Sequence, residues 1–171
     1  MTSRDKMNDV IRRLTPTDAS LLRELRMMAI SDAPEAFGST LQETAERSVQ
    51  TWRHMLRPER NPFFIFEVEN VIGGLIGGLS PSENSVAQLV SMWVSPQLRG
   101  RQVSDQLVEH VIRWAVKAGA CRITLHCTEG NLFAERLYAR HGFSRTGEIE
   151  VRERDNAVEF EMALDLIASG Q

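Results

Sequence analysis

Apolar residues recur three or four apart at Val103, Leu107, Val111, Ala115 and Ala118, a period that predicts a helix with one buried face. The run before it, Val86 to Val94, reads as a strand that stops at Pro96, since proline removes a ladder donor. After Gly119, the stretch Arg122-Ile-Thr-Leu-His-Cys127 alternates its faces as a strand does. Strand, helix, strand is a βαβ crossover, which implies a parallel pair joined with right-handed sense.

The flanks read differently. Residues 1–9 are polar and expected to be disordered. Val10 to Leu14 is a short strand candidate, and Thr15-Pro16-Thr17-Asp18 then supplies a cap, a proline at the first helical position and an acid at the third. A helix is therefore expected through Leu22, Leu25 and Met28, ending before Pro34. Loop chemistry fills Ala33 to Thr40, with Phe37 as an apolar anchor, and Leu41, Ala45, Val49, Trp52 and Leu56 mark one second helix. Pro62 to Glu69 and Val71 to Leu79, separated by Glu69-Asn70, form a hairpin whose second strand carries four glycines. Those glycines read equally as bulges or as room for a close approach. Asn131 opens a short helix closed by His141-Gly142-Phe143, where Gly142 suits a left-handed cap. Phe143 to Val151 and Val158 to Leu166, joined at Asp155-Asn156, give a last hairpin. The order predicts an α/β fold with a mixed, mostly antiparallel central sheet of about seven strands and a parallel pair at the central crossover. With no internal repeat or linker, residues 1–171 read as one domain.

Composition narrows the function. At 42% hydrophobic and 25% charged residues the chain can bury a sizeable core, and a net charge of -3 argues against a general nucleic-acid binder. Cys121 and Cys127 lie six apart along one extended segment, too far for a mutual disulfide, and no paired ligand motif suggests a metal. No signal peptide or membrane-length apolar run is evident, so a cytoplasmic location without membrane partners is expected.

Two stretches carry candidate chemistry. Between the central strand and its helix, Gly100 stands among Arg99 and Arg101 at a helix N-terminus, where free N–H groups and the positive dipole end favour a phosphate. Taken alone, the stretch reads as well as a solvated basic turn. Asn131, Ala134 and Tyr138 fall at i, i+3, i+7 and so share one helical stripe. Each stretch follows a strand of the parallel pair, and ligands of α/β sheets gather at that edge, so the two should flank one crevice.

Together, Val94-x-Pro96-x-x-Arg99-Gly100 and Asn131-x-x-Ala134-x-x-Leu137-Tyr138-x-x-x-Gly142-Phe143 resemble the GNAT superfamily of acyl-CoA-dependent N-acetyltransferases, specifically over Met92 to Phe143. The resemblance implies acetyl-CoA as co-substrate, no metal, and a small-molecule or peptide amine as acceptor, and it allows a homodimer. Cofactor contacts are implied for Met92, Trp93, Val94, Arg99, Gly100, Arg101, Gln102, Val103, Ser104, Asn131, Ala134 and Tyr138. The only tyrosine, Tyr138, takes the family's role of acid toward the departing thiolate.

The chain departs from the family twice. Gln102 and Ser104 stand where small residues are usual in the phosphate loop, and Gln88 to Val94 holds no carboxylate to act as base. Gln102 is expected in ordinary helical dihedrals, because the apolar period after it is unbroken. His126 is the candidate base: it faces away from Ile123, Leu125 and Cys127, and an imidazole titrates near neutrality. A hydrogen-bonded strand residue is the other reading of His126, and a water chain from Glu43 is a third source of a base. His54, His110 and His141 read as surface or capping residues. The acceptor pocket is expected from the Phe37 loop, the second helix and the last hairpin. The leading reading is an enzyme that transfers acetyl to a primary amine by direct attack. The alternative is a non-catalytic module that binds acyl-CoA or regulates.

Overall fold

The strands β1 (Asp9–Arg13), β2 (Phe63–Val68), β3 (Val71–Leu79), β4 (Val86–Val94), β5 (Arg122–Thr128), β6 (Ser144–Val151) and β7 (Val158–Asp165) form one sheet in the order β1-β2-β3-β4-β5-β7-β6. The computed structural model describes residues 9–81 and 83–166. Every neighbouring pair is antiparallel except β4 with β5, as the crossover requires. The expected disorder of residues 1–9 concerns segments outside the described residues, apart from Asp9, which already pairs with Val68.

Local chemistry explains most boundaries. Glu69 and Asn70 both take positive φ, 49° and 65°, the pattern of a two-residue hairpin turn. Gly142 at φ 92° ends α5 (Leu132–Arg140), and the Phe143 N–H returns to the Tyr138 carbonyl at 3.1 Å. Ahead of α1 (Ala19–Asp32), Pro16–Asp18 forms a 3₁₀ turn, with the Thr15 N–H donating to the Asp18 carboxylate at 2.8 Å. The single second helix is corrected to two, α2 (Leu41–Glu46) and α3 (Val49–Met55). Arg47 is extended and Ser48 recaps the chain, its Oγ accepting from the Thr51 N–H at 3.1 Å. The supposed apolar stripe misled because Leu41 and Val49 are exposed, while Thr44, Trp52 and Leu56 face inward.

The core lies on both faces of the sheet. Leu22, Leu25 and Ile30 of α1 and Trp52 of α3 cover Ile65, Leu75 and Trp93 on one face. On the other, α4 (Val103–Lys117) and α5 cover Phe66, Ile76, Leu125 and Phe160. Two glycines of β3, Gly74 and Gly78, are explained by this second layer. A Cβ on Gly78 would stand 2.3 Å from Trp114, and one on Gly74 2.8 Å from Leu107, so the glycines let α4 lie directly on the strand.

One irregularity shapes the middle of the sheet. Leu75 pairs with Trp93 but Gly77 with Val90, so β4 carries an extra residue, and Ser91 at φ 58° marks the bulge. Parallel pairing of β4 with β5 covers only Val86 to Gln88 against Arg122 to Thr124. Beyond it the two strands diverge.

Candidate active site

The divergence opens a cleft of about 970 Å³, near the upper end of common ligand pockets. Along its floor, β4 past Gln88 keeps its β3 partner and lacks one on the β5 side. Such an edge offers a row of backbone donors and acceptors to an extended, amide-bearing ligand. At one lip stands the N-terminus of α4. Side chains of Thr40, Ser48 and Asn131 cap α2, α3 and α5, whereas Gln102 makes no such bond. The first-turn N–H groups of α4 are thus open to an anion beside Gly100, itself at φ 77°.

Gln102 corrects an expectation. It sits at φ 61°, ψ 17°, the left-handed region, and not in helical dihedrals. The chain reverses here to enter α4, so the family's small residue answers a backbone need that the apolar period does not reveal. Of the expected cofactor positions, Met92, Trp93, Val94, Arg99, Gly100, Val103, Ser104, Asn131, Ala134 and Tyr138 line the cleft. Arg101 and Gln102 are exposed outside the lining.

Arg99 behaves as a brace. Its guanidinium is bound by the Asp32 carboxylate, and its Nε donates to the Val94 carbonyl at 3.1 Å. Asp32 also accepts from the Trp93 indole N–H at 3.0 Å, which ties the end of α1 to the floor. A second pin holds α4 to α5: Asp105 accepts from Arg140 Nε at 2.5 Å and contacts His141 Nε2 at 2.9 Å. The Arg140 bonds hold the Asp105 carboxyl down at about 2, with His141 assisting.

Tyr138 lies on α5 against Phe143, edge to face at 5.9 Å. Its side chain is buried yet borders the cleft, and among the described residues its hydroxyl has no hydrogen-bond partner. Burial, with Cys127 adding, raises its pKa above that of an ordinary phenol, so the proton stays on oxygen at neutral pH. Cys127 is likewise pushed up, to about 11, by burial first and Glu135 next, and remains a thiol. Asn131 uses its Oδ1 to accept the Ala134 N–H at 3.2 Å, which leaves its amide donors for the cleft.

His126 borders the cleft and sits 3.0 Å, Nδ1 to Nε2, from Gln88. An amide donating to Nδ1 fixes the ring proton on Nε2 and leaves no lone pair free. With the amide turned over, Nδ1–H donates to Oε1 and the Nε2 lone pair is available. Glu43 is elsewhere: it closes a reciprocal cap with Thr40, at 2.8 and 3.1 Å, and does not border the cleft. His54 is exposed, His141 is the partner of Asp105, and His110 is half-buried against Phe64 at 4.6 Å, not a surface residue.

The opposite wall has parts that local pattern did not indicate. Arg152 donates to the carbonyls of Phe37 at 3.0 Å and Glu35 at 2.9 Å, and Arg154 to that of Phe37 at 3.1 Å. The last hairpin thereby holds the Phe37 loop over the cleft. Glu159, bound to Arg152 at 3.1 Å, borders it too. Helical wall comes from Arg26 on α1, and none from residues 41–56, contrary to the expectation from the second helix. Arg26 had a sequence signal: it stands inside the apolar stripe Leu22, Leu25, Ala29.

The fold is similar to that of solved acetyltransferases. A GNAT-family acetyltransferase of Streptococcus pneumoniae superposes with TM-score 0.78 at 16% identity, over 94% of this chain and all of that one. A Salmonella typhimurium protein solved with its cofactor acetyl-CoA gives 0.76 at 18%, over 96% and 97%. The profile described as "Acetyltransferase (GNAT) family" matches residues 24–143, and the chain belongs to that family. In sequence it is 25% identical over 97 residues to the N-acetylaspartate synthetase of Danio rerio, covering 57% of this chain and 34% of that protein. It thus spans about a third of that relative's length.

Proposed function

We propose that the protein is an N-acetyltransferase that moves an acetyl group from acetyl-CoA to a primary amine of a small molecule or peptide by direct attack. The observation that carries this is the split between β4 and β5, which sets an unpaired strand edge, an uncapped helix N-terminus and the Tyr138 hydroxyl along one cleft. The neighbour solved with acetyl-CoA supports the choice of co-substrate. A cytoplasmic setting is part of the proposal, in keeping with free Cys121 and Cys127. Among the described residues no helix is long and apolar enough to cross a membrane.

Acetyl-CoA, when bound, supplies an activated thioester. The residues here must hold it, accept the amine proton and provide a proton at the departing sulfur. The β4 edge at Met92 to Val94 and the α4 N-terminus with Gly100 and Ser104 hold the chain and phosphates. Arg101 and Gln102 approach from the rim. Tyr138 delivers the proton: burial that raises the phenol's pKa also raises that of a thiolate in the same dry cleft, so transfer between them remains feasible. His126 accepts the amine proton through Nε2 when Gln88 presents its oxygen to Nδ1.

A second reading, binding without turnover, has its own observation in the absence of a carboxylate from Gln88 to Val94 and the dependence of His126 on the Gln88 orientation. Release of free thiol from acetyl-CoA across a panel of amines separates the two. Amine-dependent thiol release supports the enzyme, and calorimetric binding of acetyl-CoA without it supports the module.

A further inference from the structure

Among the described residues eight arginines meet carboxylates, including Arg12 with Asp18, Arg99 with Asp32, Arg140 with Asp105, Arg145 with Glu135 and Arg152 with Asp155. Arg26 has only 9% of its surface exposed, yet no carboxylate among the described residues lies within ion-pair distance of it. It borders the cleft. The groups it contacts are neutral: it donates to Ser91 Oγ at 2.7 Å, stands 3.5 Å from Ser39 Oγ, and lies over the Phe37 ring at 5.3 Å. Burial, with Arg47 adding, lowers its pKa to about 10, so it stays charged at neutral pH.

A buried cation without a counter-ion is costly and persists where something else requires it. Two hydroxyls engage two of the five N–H donors of the guanidinium, which leaves a fork for a planar anion. The serine that orients it is itself at positive φ, the strained bulge of β4. We infer that Arg26, with Ser39 and Ser91, is the seat for a carboxylate of the acceptor, so that the acceptor is a small amino acid-like amine. The inference rests on the acetyltransferase reading of the same cleft.

The spacing agrees. Ser91, which holds Arg26, lies three residues along β4 from Gln88, which holds His126, a span of at most roughly 10 Å, since the bulge at Ser91 shortens the strand. Two hydrogen bonds of about 2.9 Å and the width of one amino acid bridge such a span. The carboxylate then meets Arg26 while the amine faces His126. A polyamine would bring positive charge to a buried guanidinium with nothing to offset it, and is disfavoured.

The test is calorimetry in the presence of CoA, with the proteinogenic L-amino acids, their carboxamides and spermidine as probes at millimolar concentration, followed by thiol release from acetyl-CoA. At least one acid should bind, with its carboxamide weaker by about tenfold or more. Arg26→Met should weaken that acid by about thirtyfold, abolish the difference between acid and carboxamide, and leave acetyl-CoA affinity unchanged. Equal binding of acids and carboxamides, preference for spermidine, or no binding by any acid overturns the inference. The comparison on the unaltered protein needs no variant and decides even if Arg26→Met fails to fold. Acid binding without thiol release would remove the transferase reading while leaving the carboxylate seat in place.

Discussion

The two walls of the cleft are built by different means. The proposed cofactor wall, from Met92 to Ser104 and along α5, presents backbone: an unpaired strand edge, a helix N-terminus and turns set by Gly100 and Gln102. The proposed acceptor wall presents side chains brought from far apart, with Arg26 meeting Ser91 across 65 residues and Arg152 meeting Phe37 across 115. Backbone recognition suits a ligand common to a family, because any sequence that keeps the turns keeps the site. Side-chain recognition suits a ligand particular to one member. The expectations that follow probe that contrast from the largest effect down.

The two walls meet at Tyr138. Replacing it by Phe keeps the packing on Phe143 and removes only the hydroxyl, so kcat should fall about 10²–10⁴-fold while acetyl-CoA affinity holds. Steady-state kinetics beside calorimetry reads both, and equal losses in both would make the phenol a binding group.

His126 tests the acceptor wall. In His126→Gln the kcat/KM should drop about 10–100-fold while acetyl-CoA affinity holds. A kcat/KM unchanged by the substitution would assign the proton to another group, with Glu159 next along that wall.

Asp105 tests the frame behind the cofactor wall. Its folded pKa of about 2 lies below the ordinary 3.8, so its stabilisation is full above about pH 5 and is lost as pH falls through 4 toward 2. Because Arg140 is 46% exposed, screening limits the contribution to on the order of 1 kcal/mol. Thermal unfolding of Asp105→Asn should show lower stability at neutral pH and a difference from the native chain that narrows toward pH 2. A constant difference would mean that the ion pair is not its source.

Gln102 should give the smallest effect. Its positive φ is set by the chain reversal into α4, so the strain is met on folding and not on binding. Glycine relieves up to about 1–2 kcal/mol of strain but adds about 0.5–1 kcal/mol of unfolded-state entropy. Gln102→Gly should therefore raise stability by at most about 1 kcal/mol and change acetyl-CoA affinity less than threefold. A tenfold gain in affinity would show that the native loop adjusts on binding.

The same contrast explains what could be read from the chain. Both termini of β4, the Glu69-Asn70 turn, the Asn131 start of α5 and the Gly142 cap were legible, since each depends on residues within a few positions. So were most residues on the β4 and α5 side of the cleft, through motif and resemblance. Ser48 was not, because the break it makes leaves an apolar period that still looks continuous. Nothing local distinguishes Ser91 as a bulge; the misfit arises only when β4 is laid against β3. Gln102 was misread because its conformation follows from chain reversal and not from side-chain pattern. Arg26 carried a faint signal, a charge within an apolar stripe, but its lack of a counter-ion among the described residues is visible only in three dimensions.

In the proposed reaction the cleft binds acetyl-CoA along one wall and receives an amine along the other. Free-thiol release from acetyl-CoA, measured with and without the L-amino acid panel for the native chain and Tyr138→Phe, tests this most directly. Thiol release should require an amine, yield the N-acetyl product, and nearly vanish in Tyr138→Phe with acetyl-CoA still bound. Release that is absent with every amine, or undiminished without Tyr138, would contradict it.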